Sequence, residues 1–240
     1  MPPIQAVVVA GGLGSRMGRS TERTPKSMLR LAGKPILEHI LAHLAASGIA
    51  EAHLCLGHGA AEIMDYFGDG SRWNLALGYS VEDRPLGTAG AVKALEQRLD
   101  DEFLVVYGDL YIELDIRRLI RFHRGHDGDA SIVVSPTDHP YDSDLLRVRN
   151  GIIRAFFRAA PGQARPEALS CIAVWGVRKA LLGMIPNDVP SDFGRDIFPA
   201  AIRAGRRLMA YESNETVLDL GTPQRLARAE HLLLSRTPCP

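Results

Sequence analysis

The 240 residues carry 28 basic and 28 acidic side chains, a formal net charge of zero at pH 7, and 46% are hydrophobic. This is the make-up of a globular chain long enough to bury a substantial core, and it argues against a strongly basic nucleic-acid-binding surface. No run of 18 apolar residues marks a membrane span and the apolar start lacks a basic leader, so the expected location is the cytoplasm, with neither membrane nor nucleic acid as partner.

Residues 4–10 read as a strand that runs straight into a glycine-rich loop, Gly11 to Met17. Leu37, Ile40, Leu41 and Leu44 have helical spacing, and Gly48 stops that helix. His53–Leu56 reads as a strand, Ala61–Phe67 as a helix, Leu75–Val81 as a strand and Thr88–Leu99 as a helix. The apolar strand Phe103–Tyr107 ends at Gly108-Asp109. A helix over Asp115–His123 and a strand over Ala130–Ser135 follow. Asn150-Gly151 between Leu145–Arg149 and Ile152–Arg158 is a hairpin signal. Pro161–Pro166 reads as a loop, Ser170–Val177 as a strand, Phe193–Ala204 as a helix, Arg207–Tyr211 as a strand and Pro223–Ser235 as a helix. The alternation predicts an α/β fold with a mostly parallel sheet covered on both faces.

The first loop carries the chemistry. Glycines let backbone N–H groups approach a ligand, and successive N–H groups form an anion-binding concavity. Arg16 inside the loop and Lys26 just after it add the charge that a polyphosphate needs. The spacing fits neither a P-loop, since no lysine follows Gly18, nor a dinucleotide fingerprint, since Gly12, Gly14 and Gly18 hold one residue too many. A plain turn would need neither Arg16 nor Pro25-Lys26.

Gly11-Gly12-Leu13-Gly14-Ser15-Arg16-Met17, Pro25-Lys26-Ser27-Met28 and Gly33-Lys34-Pro35-Ile36-Leu37 resemble the signature of the sugar-1-phosphate nucleotidylyltransferases. Pro85–Ala91, Tyr107-Gly108-Asp109 and Asp219-Leu220-Gly221-Thr222-Pro223 follow in the order that family has them. The resemblance implies a Rossmann-like, three-layer fold with a mixed, mostly parallel sheet, the nucleotide-diphospho-sugar transferase fold. It implies one domain over 1–240, with a nucleotide-binding part over about 1–110, a sugar-binding part over about 111–240 and no room for an appended β-helix. The implied substrates are a nucleoside triphosphate and a sugar 1-phosphate, and the implied cofactor is Mg²⁺.

By the same resemblance Arg16 and Lys26 are catalytic, and Ala10, Gly11, Gly12, Gly14 and Ser15 join Arg16 in cradling the triphosphate. Asp109 and Asp219 hold the metal; each could instead be a turn residue or helix cap, although Thr222 before Pro223 is the better cap for the last helix. Pro85, Gly87 and Thr88 pack the base and ribose, and Thr88 could cap a helix as well. Glu82 only accepts hydrogen bonds, which suits the two adjacent N–H donors of guanine and opposes uracil or thymine, so GTP is the leading nucleotide. Glu82 as a mere strand-end residue is the other reading.

On the sugar side, Tyr107, Gly108, Tyr141, Arg158, Asp192 and Asp196 are the candidates, and Pro140-Tyr141-Asp142 and Ser191–Pro199 resemble segments of mannose- and manno-heptose-1-phosphate guanylyltransferases. Ser191 or Asp192 could instead cap the following helix. The family's Glu-Lys-Pro element is replaced by Phe157-Arg158-Ala159-Ala160-Pro161, which leaves the sugar open. Lys34 reads equally as a phosphate neighbour or a solvated lysine. His39 and His43, four apart on one helix, lack a third ligand and read as a solvated face. Cys55, Cys171 and Cys239 have neither zinc nor disulfide spacing. A monomer and a homodimer are both compatible with the sequence. Other readings are uridylyl or cytidylyl transfer to another phosphorylated metabolite, and a non-catalytic subunit that binds a nucleotide-sugar.

Overall fold

The structure, a computed structural model, describes residues 3–12, 14, 17, 24–137, 139–159 and 169–236. They fall into two compact units. The first holds residues 1–84, 107–114 and 215–240, and the second 85–106 and 115–214. The units do not follow the expected division into parts 1–110 and 111–240. The chain leaves each unit and returns, and such recrossing leaves no mark on composition.

The first unit opens with β1 (Gln5–Val9), then β2 (Arg30–Leu31), β3 (Lys34–Pro35), α1 (Ile36–Ala46), β4 (Glu51–Leu56), α2 (Ala60–Phe67) and β5 (Ala76–Val81). The chain passes to the second unit with α3 (Gly87–Lys93) and β6 (Glu102–Tyr107), and back to the first with β7 (Leu110–Ile112). The second unit then takes α4 (Ile116–Arg124), β8 (Ala130–Pro136), β9 (Leu145–Arg149), β10 (Ile152–Phe157), β11 (Leu169–Arg178), α5 (Phe198–Arg203) and β12 (Leu208–Glu212). Finally β13 (Val217–Asp219) and α6 (Pro223–Arg236) rejoin the first unit.

In the first unit β1, β4 and β5 run parallel, with Val8 opposite Leu54 and Leu54 opposite Tyr79. The apolar stripe of α1, Ile36, Leu37, Ile40, Leu41 and Leu44, is buried, and Gly48 ends the helix at φ +88° as its position predicts. His39 Nε2 lies 2.8 Å from the Leu31 carbonyl and His43 Nε2 2.8 Å from that of Leu114. Their face is therefore hydrogen-bonded to backbone rather than solvated, which corrects the expectation.

The second unit orders its strands β6-β11-β8-β12-β10-β9. Here β11 is antiparallel to both β6 and β8, and β10 is antiparallel to β12 and β9; among the described residues of this unit, only β8 and β12 pair in parallel. The fold is mixed α/β as expected, but the sheet is not mostly parallel: the described strands of the second unit pair chiefly antiparallel, and an apolar run does not record the direction of its neighbour. The hairpin at Asn150 (φ 52°) and Gly151 (φ 71°) forms where the dipeptide places it. An aromatic cluster fills the core: Trp175 packs on Phe193 and Phe198 with ring centroids 5.1 and 5.0 Å away. No helix among the described residues is long and apolar enough to cross a membrane.

Candidate active site

Two short strands that the sequence does not announce build the site. β7 and β13 pair antiparallel, with Asp219 opposite Leu110, and the Leu220 N–H donates to the Asp109 carbonyl at 3.0 Å. This register sets two carboxylates from distant parts of the chain on adjoining backbone. Asp109 itself stands in the turn between β6 and β7, and the Gly108 N–H donates to the Val9 carbonyl at 2.8 Å. A Cβ on Gly108 would fall 2.7 Å from Ala10 Cβ, so glycine is what lets this turn close on the end of β1.

Each carboxylate has a cation. Lys26 Nζ donates to Asp109 Oδ2 at 2.5 Å, and the lysine is only 9% exposed. Arg225 Nη1 donates to Asp219 Oδ2 at 2.7 Å, while Asp219 Oδ1 accepts from the Gly221 N–H. Thr222 Oγ1 accepts from the Arg225 N–H at 3.3 Å, so Thr222 caps α6 with Pro223 behind it, as expected. Among the described residues, no group of three or more His, Cys, Asp or Glu is gathered as a metal centre.

Gly11 continues from the end of β1, and Glu82 follows β5. The Glu82 carboxylate lies against the loop: a Cβ on Gly11 would sit 3.1 Å from Glu82 Oε1, and one on Gly57 2.9 Å from it. The Ala10 N–H donates to the Cys55 carbonyl, and Gly14 (φ 62°) turns the chain so that the Met17 N–H reaches the Gly14 carbonyl at 2.8 Å. Gly12 is exposed. Ser15 and Arg16 lie outside the described residues, as do Cys239 and Pro161–Pro166. Lys34 is exposed and lies 3.6 Å from Glu38, which favours its solvated reading.

In the second unit Gly87 (φ +71°) starts α3 hard against Ser191, whose carbonyl accepts from the Ala89 N–H at 2.9 Å. Thr88 does not cap α3: its hydroxyl donates to Asp192 Oδ2 at 2.9 Å and accepts from the Phe193 N–H at 3.1 Å. Asp192 in turn caps a π-helical turn, Phe193–Ile197, by accepting from the Arg195 N–H, and Asp196 accepts from the Asp192 N–H at 2.7 Å. The capping reading of Asp192 is therefore realised, with one carboxylate serving both the cap and Thr88. Pro85 and Tyr141 are exposed, and Tyr107 is half-buried. Arg158 donates to Asp144 Oδ1 at 3.0 Å. Asp144 was not singled out from the sequence, and neither was Arg225; no motif or spacing marks them.

The nucleotidyl transferase family model matches residues 5–149, more than half of the chain and through both Lys26 and Asp109. The chain belongs to the nucleotidyl transferase family. It is 28% identical to the mannose-1-phosphate guanylyltransferase of Mycobacterium tuberculosis, over 94% of this chain and 63% of that protein. It is also 28% identical to a UTP–glucose-1-phosphate uridylyltransferase of Synechocystis, over 97% of this chain and 64% of that one. Among solved structures, HddC from Yersinia pseudotuberculosis complexed with GMP-PN superposes with a TM-score of 0.80 at 24% identity, covering 96% of this chain and 99% of that one. That match shows the nucleotide-diphospho-sugar transferase fold. The chain thus spans less than two thirds of the length of these two curated relatives, 63% and 64%.

Proposed function

We propose that the chain transfers a nucleotidyl group from a nucleoside triphosphate, GTP first, to a manno-configured sugar 1-phosphate, with Mg²⁺, releasing pyrophosphate. The observation that carries this reading is the β7–β13 pairing, which brings Asp109 and Asp219 together beside Lys26. Two carboxylates with little further ligation suit magnesium, which is typically held by one or two carboxylates, substrate phosphates and water. When bound, magnesium supplies positive charge to the phosphate oxygens.

The protein's part is positioning and charge. A phosphate monoester has a second pKa of about 6, so the attacking sugar phosphate oxygen is already ionised near neutral pH and no general base is required. That oxygen attacks the α-phosphorus, and the bond to the β-phosphate oxygen breaks. Lys26 and Arg16 offset charge on the triphosphate, and the Gly11–Gly14 backbone approaches it closely. Glu82 packs against Gly11, and in this reading its carboxylate accepts the N1–H and N2–H of guanine. The proposed sugar contacts are Tyr107 and Gly108 in the first unit and Tyr141, Arg158, Asp192 and Asp196 in the second, and D-glycero-α-D-manno-heptose 1-phosphate and mannose 1-phosphate are the leading substrates. The Mycobacterium relative supports guanylyl transfer; the Synechocystis relative, equally identical, makes uridylyl transfer the second reading.

The test is pyrophosphate release with Mg²⁺ over a grid of nucleoside triphosphates and sugar 1-phosphates. Release with GTP and a manno-configured sugar is expected. Release with UTP and a glucose-type sugar alone would move the assignment to the second reading, and no release from any pair would sink both.

A further inference from the structure

The first turn of α6 has no acidic residue, yet it carries Arg225 three places beyond its Thr222 cap. A helix N-terminus bears partial positive charge, so a cation there is disfavoured unless an anion faces it. The anion is Asp219: Arg225 Nη1 lies 2.7 Å from Oδ2, and the arginine side chain is only 20% exposed. Asp219 is also tied through Oδ1 to the Gly221 N–H at 2.5 Å. Both of its oxygens are thus engaged before any metal arrives. Asp109 is matched by Lys26 in the same way, so the two carboxylates and two cations are balanced.

We propose that Arg225 is a positioning residue that acts as the resident counter-ion of Asp219 and gives up that carboxylate to the divalent cation. The inference rests on the metal reading of Asp109 and Asp219. An incoming cation must compete with Arg225 for Oδ2 and meets two carboxylates that already have cationic partners, so metal alone binds weakly. A triphosphate changes the balance, because its oxygens supply both metal ligands and a new anion for the displaced guanidinium. Arg225 therefore makes metal entry depend on the nucleotide.

The experiment is Mn²⁺ binding, followed by electron paramagnetic resonance of the free ion, with and without GTP, on the wild type and on Arg225→Gln, Arg225→Lys and Asp219→Asn. Thermal melts confirm that each variant is folded. Arg225→Gln is expected to bind Mn²⁺ alone about tenfold more tightly, the range of a part-buried ion pair removed from competition. The gain in Mn²⁺ affinity on adding GTP should shrink by a similar factor, Arg225→Lys should stay near wild type, and Asp219→Asn should lose the site. Unchanged or weaker Mn²⁺ binding in Arg225→Gln, with Asp219→Asn still losing it, would overturn the proposal and leave the metal reading intact. If Mn²⁺ binding, even with GTP, does not respond to Asp219→Asn, the metal reading itself fails and the proposal with it.

Discussion

Lys26 donates to Asp109 across 2.5 Å although 83 positions separate them in the chain. The lysine is buried and its partner carboxylate only partly so, which makes the pair sensitive to loss of either member. Asp109→Asn keeps the shape and an acceptor for Lys26 but removes the charge. Turnover should fall by at least about 100-fold, the scale of losing one strong electrostatic contact in a transition state, with the circular dichroism spectrum unchanged. Wild-type rates of pyrophosphate release in this variant would remove Asp109 from the site.

Glu82→Gln tests the base. The amide adds donors where the carboxylate had acceptors only, so the ratio of kcat/KM for GTP over UTP should drop at least about tenfold. An unchanged ratio would mean that Glu82 serves the loop, by packing against Gly11 and Gly57, and not the nucleobase.

Asp192 can be separated into its two roles. Asparagine remains a good helix cap, so Asp192→Asn should change stability by less than about 1 kcal/mol. If Asp192 also approaches a sugar hydroxyl, KM for the sugar 1-phosphate should rise severalfold with little change in KM for GTP. Equal effects on both substrates would assign Asp192 to the cap and Thr88 alone.

His123 makes the protein acid-sensitive. His126 Nδ1 accepts from the Gly128 N–H, so its Nε2–H faces Ser131 Oγ, and the Ser131 hydroxyl is left to donate to His123 Nδ1. Burial, in the company of Arg178, Arg124 and His126, pushes the His123 imidazole down from 6.5 to about 4. Between those values the unfolded chain takes up a proton that the folded chain refuses. Stability is therefore full above about pH 6.5 and falls as the pH drops to about 4, by roughly 3 kcal/mol. His126, also lowered by burial, adds in the same direction. Urea melts from pH 7 to 4 should show a shallower decline in His123→Gln than in the wild type; parallel declines would show that His123 is not responsible.

Gly108→Ala should cost about 1–3 kcal/mol and reduce turnover together, because the added methyl would press on Ala10 Cβ and displace the turn that presents Asp109. A melting temperature within a degree of wild type would show that the turn has room to shift.

The sequence makes the local parts of the site readable. The strand before Gly11, the Asn150-Gly151 hairpin and the Thr222-Pro223 helix start all form where short-range chemistry puts them. The pairings that complete the site are not readable, for a physical reason. β7 and β13 have three residues each, too few to show a period of two, and their partners are set by register across the chain. Arg225 and Asp144 take their meaning from the carboxylate or guanidinium opposite, which no spacing rule reaches. The antiparallel pairing of the second unit was hidden likewise, since an apolar run does not record its neighbour's direction.

The discontinuity of the first unit has a consequence for synthesis. Ile112 leaves the ribosome long before its partner Val217 exists, so β7 waits without its partner strand while residues 115–214 of the second unit are made. Closing that loop carries an entropic cost of about 4 kcal/mol, met only when β13 and α6 arrive. A nascent chain stalled before residue 215 would hold Lys26 and Asp109 but not Asp219. The two carboxylates therefore come onto adjoining backbone only after the strand at Val217–Asp219 has been made, which ties this part of the first unit to the synthesis of residues far along the chain.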